Sequence, residues 1–245
     1  MAGSSAAYEG SSFQKFLNWS NQKEILGKEI LALIKPSYKS LLDVGAGNGD
    51  LTESYIGLFE KTLLLEPAQQ YYERLRERFP EATVAKTQAE DFRSDGSQFD
   101  LIVASHVFYY VAKPREVINH LFTSLNEGGR LVMVMVDRNC GYRRFVDYFY
   151  NIISEGKVDL FEIQWGEIVT YLATQSISPV VKDLFSQVNA PSIDDFLSLN
   201  DFIFNIDVSH IPGTVIDEMR TFLKDYLTSD GLSIDTWDKV IVVEK

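Results

Sequence analysis

The chain has 245 residues and a mass of 27.9 kDa, with 45% hydrophobic and 24% charged residues. At this length folding buries roughly 70–75% of the unfolded surface, so a core needs neither disulfides nor metal. The 23 basic and 35 acidic residues leave a net charge of −12, a field that repels phosphate backbones and argues against a nucleic-acid partner.

The single cysteine, Cys140, excludes an intrachain disulfide, and three histidines (His106, His120, His210) argue against a zinc site. No metal is expected. The longest apolar run, Leu131 to Val136, falls far short of the ~20 residues that cross a bilayer. The opening MAGSSAAYEGSS has neither the basic nor the apolar segment of a secretion signal and reads as a flexible start. A cytoplasmic protein with no membrane partner is expected.

Residues 13–35 carry a helical pattern in Ile25, Leu26, Ile30, Leu31 and Ile34. Ser40-Leu41-Leu42-Asp43-Val44 is a short apolar strand ending at a glycine cluster, after which Leu51, Tyr55, Leu58 and Phe59 recur at helical spacing. A second strand spans 62–65. A charged helix follows over about 68–79, stopping before Pro80. Residues 83–85 form a weak third strand and 99–104 a fourth, whose unbroken apolar character suits burial between two layers. Val117, Ile118, Leu121, Phe122 and Leu125 mark a helix face terminated by Gly128-Gly129, and the fifth strand spans 130–136. Capping signals stand at Ser192-Ile193-Asp194-Asp195 and Thr214-Val215-Ile216-Asp217, and Val240 to Val243 reads as a last strand.

Strands alternating with helices imply right-handed crossovers and a doubly wound, mostly parallel α/β sheet. We expect one domain overall, built from N-terminal cap helices (1–36), a cofactor core (37–137), a helical substrate cap (138–236) and a final strand (237–245).

The stretch Asp43-Val44-Gly45-Ala46-Gly47-Asn48-Gly49-Asp50 places three glycines at the carboxyl end of the first strand, where open α/β sheets bind ligands. Glu66 follows 21 residues after Gly45, at the end of the second strand. A carboxylate there accepts hydrogen bonds from ribose hydroxyls. A dinucleotide fingerprint wants a glycine at position 50, which is Asp50, and Asp43 would repel a pyrophosphate. Those carboxylates suit the cationic S-adenosylmethionine better.

With LLDVGAGNGD, Glu66-Pro67, Gln88-Ala89-Glu90-Asp91-Phe92, Phe99 to Ser105 and Gly128 to Leu131, the sequence resembles the class I S-adenosylmethionine-dependent methyltransferases over 37–137. The resemblance implies a Rossmann-like methyltransferase fold. It implies Gly45, Gly47 and Gly49 under the methionine moiety, Glu66 and Pro67 at the ribose, and Gln88, Ala89 and Glu90 around the adenine. Ser105 and His106 would stand near the sulfonium.

The acceptor must be read from the ends of the fourth and fifth strands and from the cap. Ser105-His106-Val107-Phe108-Tyr109-Tyr110 holds neither the Pro-Pro motif of DNA amino-methylating enzymes nor the paired glutamates of protein-arginine methyltransferases. Asp137 has no second carboxylate for a metal cluster at the end of the fourth strand. A small-molecule substrate methylated without metal remains. Phe13 to Ser20, Phe108 to Val111 and Val240 to Glu244 look similar to histamine N-methyltransferases. That family's amine-binding glutamate falls on Gln22, its glutamine after strand four on His106, and its asparagine before the last strand near Thr236.

The expectation is methyl transfer to an amine or imidazole nitrogen, with His106 as the candidate base and Tyr8, Phe13, Gln22, Tyr109 and Tyr142 as candidate substrate contacts. Trp165 and Trp237 are further aromatic candidates, each equally suited to packing. The alternatives are O- or C-methylation of a small natural product, or cofactor binding without turnover. The oligomeric state is not legible.

Overall fold

The computed structural model describes residues 11–153, 163–204 and 208–245; the substrate candidate Tyr8 lies outside them. Two short helices open the chain, α1 (Ser11–Trp19) and α2 (Gln22–Leu33). The sheet then begins with β1 (Ser40–Val44), β2 (Lys61–Leu65), α3 (Gln69–Arg78), β3 (Thr83–Ala85), β4 (Phe99–Ser105), α4 (Pro114–Thr123) and β5 (Leu125–Val136). After it come α5 (Gly141–Ile153), α6 (Trp165–Thr174), β6 (Val180–Ala190), α7 (Ile193–Leu197), α8 (Asn200–Phe204) and α9 (Gly213–Leu223). The short β7 (Leu227–Thr228) and the long β8 (Gly231–Glu244) close the chain.

The sheet order is β3-β2-β1-β4-β5-β8-β6, with β7 paired to β8. The β1–β2, β1–β4, β2–β3 and β4–β5 ladders are parallel and β7–β8 is antiparallel. This is the expected doubly wound, mostly parallel architecture. The chain order reverses between β1 and β4, the topological switch point at whose carboxyl ends open α/β sheets bind ligands.

Contacts divide the chain into two compact units. The sheet unit comprises Lys23–Met135, Phe161–Leu184 and Asp238–Lys245; the second comprises Met1–Gln22, Val136–Leu160 and Phe185–Trp237. Residues 23–36, expected among the cap helices, thus belong with the sheet. In the sheet unit the two faces of β4 supply two cores by simple alternation. Ile102 and Ala104 join Leu42, Val44, Leu131, Met133, α4 and α6, while Leu101 and Val103 join Leu26, Ile30, Leu41, Tyr55 and Val134. Burial on both faces is what its continuous apolar run requires. The second unit packs around aromatic rings. Phe145 lies 5.0 Å from Phe149, 5.5 Å from Phe196 and 5.7 Å from Phe222, centroid to centroid.

Four local expectations are corrected. Residues 51–59 form two 3-10 turns, Thr52–Ser54 and Ile56–Leu58, rather than an α-helix. The Thr52 and Tyr55 hydroxyls both turn inward to donate to Asp43, which sets the backbone there. Gly128-Gly129 does not end a helix: α4 stops at Thr123 and β5 starts at Leu125, with the glycines inside an irregular stretch that shifts the β4–β5 register. Thr214 caps nothing, because α9 starts at Gly213 after Pro212, whereas Ser192 does cap α7 by accepting from the Asp195 N–H at 3.0 Å. The last strand starts nine residues earlier than Val240, since β8 runs from Gly231.

Candidate functional site

The loop after β1 is tied to β2 by two amides. Gly45 and Ala46 N–H groups donate to the Leu65 carbonyl at 2.8 and 3.1 Å. Gly45 and Gly47 adopt φ of 70° and 58°, in the left-handed region that side chains disfavour. A methyl built on Gly45 would stand 2.6 Å from Val107, directly after His106; one built on Gly47 meets no atom within 4 Å. Gly47 therefore faces open space rather than a neighbouring side chain. Gly49 packs instead against Leu75 and Phe79 of the α3 end.

The far side of the loop is clamped by charge. Arg78 donates to the Asn48 carbonyl at 2.8 Å and pairs with Asp50 at 2.6 Å and Glu53 at 2.6 Å. Lys23 reaches Asp50 at 2.9 Å and the Asn48 side chain at 3.3 Å, and its burial lowers the ammonium pKa. Asp50 is thus the anchor of this network, which explains a carboxylate where a dinucleotide loop has glycine.

Two buried carboxylates lie at the ends of β1 and β2. Asp43 is 3% exposed, and its Oδ2 accepts from Thr52 Oγ1 at 2.7 Å and Tyr55 at 2.8 Å. Burial, with the nearby Glu66 charge, pushes its carboxyl up to about 6. Glu66 is 6% exposed, and its two oxygens accept from Gly47 N–H at 2.9 Å and Ala68 N–H at 2.8 Å. Burial raises its pKa too, against the pull of those two amides. Each Glu66 oxygen keeps a lone pair for a further donor.

The remaining predicted residues distribute as follows. Pro67 and Gln88 are exposed, and Ala89 packs partly against the core beside β3. Glu90 is spoken for: its Oε1 accepts from the Ala112 N–H at 2.8 Å, joining two loops. Ser105 ends β4 and His106 follows it with φ 57°, its N–H bonded to the Val134 carbonyl at 2.9 Å. His106 Nδ1 lies 3.4 Å from the Tyr109 hydroxyl, and Nε2 faces Asp238 Oδ1 at 3.6 Å. The sheet unit therefore brings together Asp43, the three glycines, Glu66, Ser105, His106 and Tyr109.

The other substrate candidates belong to the second unit. There Phe16 joins Phe13's neighbour Phe202 at 5.1 Å and Tyr142 at 5.8 Å, giving one aromatic cluster, with Phe13 5.1 Å from Phe202. Gln22 starts α2, with its N–H on the Ser20 hydroxyl at 3.2 Å. Thr236 is buried against Ser186. Trp237 pairs with Phe185 at 5.2 Å and donates to Asp235 at 3.0 Å, and in the sheet unit Trp165 lies under the Lys239 ammonium at 4.8 Å. Asp137 accepts from the Asn139 backbone and side chain at 3.0 Å. Among the described residues no group of three His, Cys, Asp or Glu is placed to hold a metal ion, and no helix is long and apolar enough to cross a membrane. Sequence reasoning missed Asp238, the hydroxyl partners of Asp43, and the Lys23–Asp50–Arg78 clamp.

This donor set fits an adenosyl sulfonium better than a dinucleotide. The open space at Gly47 admits close backbone approach, the Glu66 lone pairs suit a diol, and two buried carboxylates favour a cation. A pyrophosphate would meet that same negative field without the α-helix N-terminus that ordinarily offsets it, since only 3-10 turns follow the loop.

No curated protein matches the chain in sequence. Solved structures do match its fold. The YcgJ protein of Bacillus subtilis superposes with a TM-score of 0.64 at 14% identity, covering 91% of this chain and 98% of that one. The N-methyltransferase NodS of Bradyrhizobium japonicum, in complex with S-adenosyl-L-homocysteine, gives 0.56 at 15% identity over 92% and 86%. The plantazolicin methyltransferase BpumL, in complex with the same ligand and a triazolic desmethylPZN analogue, gives 0.55 at 14% identity over 99% and 89%. The family described as a methyltransferase domain matches residues 18–179, more than half of the chain. With that match and this loop, the chain belongs to the methyltransferase-domain family, as a class I enzyme whose methyl donor is S-adenosylmethionine.

Proposed function

We propose that the enzyme methylates a nitrogen of a small-molecule amine or imidazole, with His106 accepting the proton that the nitrogen sheds. When bound, the donor supplies an electrophilic methyl group on positively charged sulfur. Gly45 and Gly47 would hold its methionine part, with Gly49 closing the turn against α3, and Glu66 would accept from the ribose hydroxyls with the lone pairs left by Gly47 and Ala68 N–H. Asp43 would act through charge, because its Oδ2 is already occupied by Thr52 and Tyr55. Pro67, Gln88 and Ala89 would border the adenine, while the Glu90 carboxylate holds a loop rather than the base.

Holding an acceptor in line with the methyl–sulfur bond supplies about 7–11 kcal/mol of such a barrier, so positioning is the main catalytic term. A proton acceptor is still needed, because an ammonium nitrogen has no lone pair to attack with. The observation that carries the nitrogen assignment is His106. A non-glycine residue held at φ 57° directly after β4, beside Tyr109, is the one imidazole at that strand end. The acidic balance of −12 suits a cationic small molecule rather than nucleic acid. The histamine N-methyltransferase likeness adds only the nitrogen chemistry, since Gln22 stands where that family has its amine-binding carboxylate.

Mass spectrometry of products from a panel of amines, imidazoles, phenols and carbon acids tests the reading. N-methylated product, lost in His106→Ala, is the expected result. Methylation confined to oxygen or carbon would overturn the nitrogen assignment.

A further inference from the structure

Asp238 lies on β8 with its side chain only 1% exposed, in the same unit as His106. A carboxylate that deeply buried is costly unless a donor or cation faces it. The next residue along the strand points elsewhere: Lys239 pairs with Asp183 at 2.6 Å. His106 Nε2 faces Asp238 Oδ1 at 3.6 Å. The opposite ring nitrogen, Nδ1, lies 3.4 Å from the Tyr109 hydroxyl. From β5 the neighbouring group is the neutral Val134 carbonyl, which takes the His106 N–H. Asp238 and Tyr109 both face this ring, one at each nitrogen.

We infer that Asp238 is a positioning residue that fixes the His106 tautomer, keeping the proton on Nε2 and leaving Nδ1 as the atom that accepts the substrate proton. The inference rests on the reading of His106 as the proton acceptor. An ionised carboxylate only accepts hydrogen bonds, so the nitrogen turned toward it carries hydrogen. A neutral imidazole then has its one lone pair at Nδ1, on the side of Tyr109 and away from the buried strand. The 3.6 Å gap is longer than a formed hydrogen bond but within ion-pair reach, so the attraction grows when the ring takes up a second proton. When ionised, Asp238 therefore favours the imidazolium that proton transfer creates.

The test is long-range nitrogen NMR of the three imidazoles in the ligand-free protein, with His106 assigned through His106→Gln. Wild type is expected to show neutral His106 protonated on Nε2, and Asp238→Asn to show a substantial Nδ1-protonated population. With an acceptor identified, Asp238→Asn should also lower kcat by about 10- to 100-fold while the affinity for S-adenosylhomocysteine stays unchanged. A wild-type ring protonated on Nδ1, or a tautomer indifferent to Asp238→Asn, overturns the inference; if that variant fails to fold, the wild-type spectrum alone decides. Turnover undiminished in His106→Gln would instead overturn the proton-acceptor reading, leaving the tautomer result standing, so the two failures are separable.

Discussion

Gly47 and Asp43 flank the same turn, yet different forces decide what each tolerates. A methyl at Gly47 meets no protein atom, so Gly47→Ala costs only the left-handed backbone, about 1–2 kcal/mol. The same methyl would occupy open space that a bound donor would enter. We expect S-adenosylhomocysteine affinity, read by calorimetry, to fall at least about tenfold while the protein stays folded, because the lost contact is worth about 1.4 kcal/mol or more. Unchanged affinity would remove Gly47 from the donor site. Asp43 is the opposite case, a group the fold penalises. Its carboxyl holds its proton to about pH 6 in the folded protein, whereas the unfolded chain releases it at the ordinary value of 3.8. Folding therefore takes up a proton between those values. The stability this group lends is full below about 4 and lost as pH rises through 6, leaving a buried charge that costs about 3 kcal/mol at neutral pH. In Asp43→Asn the amide oxygen would still accept from Thr52 and Tyr55 without titrating. Between pH 5 and pH 8 wild type should thus lose about 1–2 kcal/mol relative to Asp43→Asn in chemical denaturation. A constant difference across that range would mean that Asp43 is not desolvated.

At the scale of elements, the glycine loop is held less by β1 than by α3. Arg78, in the last turn of that helix, binds the Asn48 carbonyl, Asp50 and Glu53 through planar geometry that a lysine cannot copy. Arg78→Met should cost about 1–3 kcal/mol, a fall in Tm of about 2–12 °C, and weaken S-adenosylhomocysteine binding without touching the ligand. A Tm shift with intact affinity would separate the clamp from the site. The same elements show what a sequence discloses. The positions of β1, β3 and α4 were legible, because short apolar runs and the helical spacing of Val117, Ile118 and Leu121 are local signals. Residues 51–59 misled because Thr52 and Tyr55 turn inward to serve the Asp43 carboxylate, which overrides helical spacing. The extra length of β5 and β8 was hidden because pairing continues past the apolar run, through glycine and alternating polar residues. In the site, the glycines and Glu66 announced themselves by spacing from one strand end to the next. Asp238 did not. An acidic residue before Val240 reads as a solvent face of a strand, and only the placement of β8 beside β5 brings it to His106.

Across the whole molecule, the surplus of 35 acidic over 23 basic residues is a field as well as a surface property. Asp43 and Glu66 put two of those charges in the sheet unit, close enough that the Glu66 charge raises the cost of ionising Asp43. A bound cation relieves that repulsion; a neutral ligand does not. S-adenosylmethionine carries a sulfonium besides its ammonium and carboxylate, whereas S-adenosylhomocysteine lacks the methyl group and with it the sulfonium charge. Comparing the two separates the electrostatic contribution from most of the fit. The long-range part is screened as the Debye length shrinks from about 30 Å at 0.01 M salt to about 3 Å at 1 M, while contacts within the loop are not. We therefore expect the Kd of S-adenosylmethionine to rise about 3- to 10-fold more than that of S-adenosylhomocysteine across this range. Asp43→Asn should shrink the difference, because it removes a charge whose Oδ2 is already committed to Thr52 and Tyr55. Equal salt sensitivity of the two ligands would show that the acidity is solvated surface alone, and that fit rather than field selects the methyl donor.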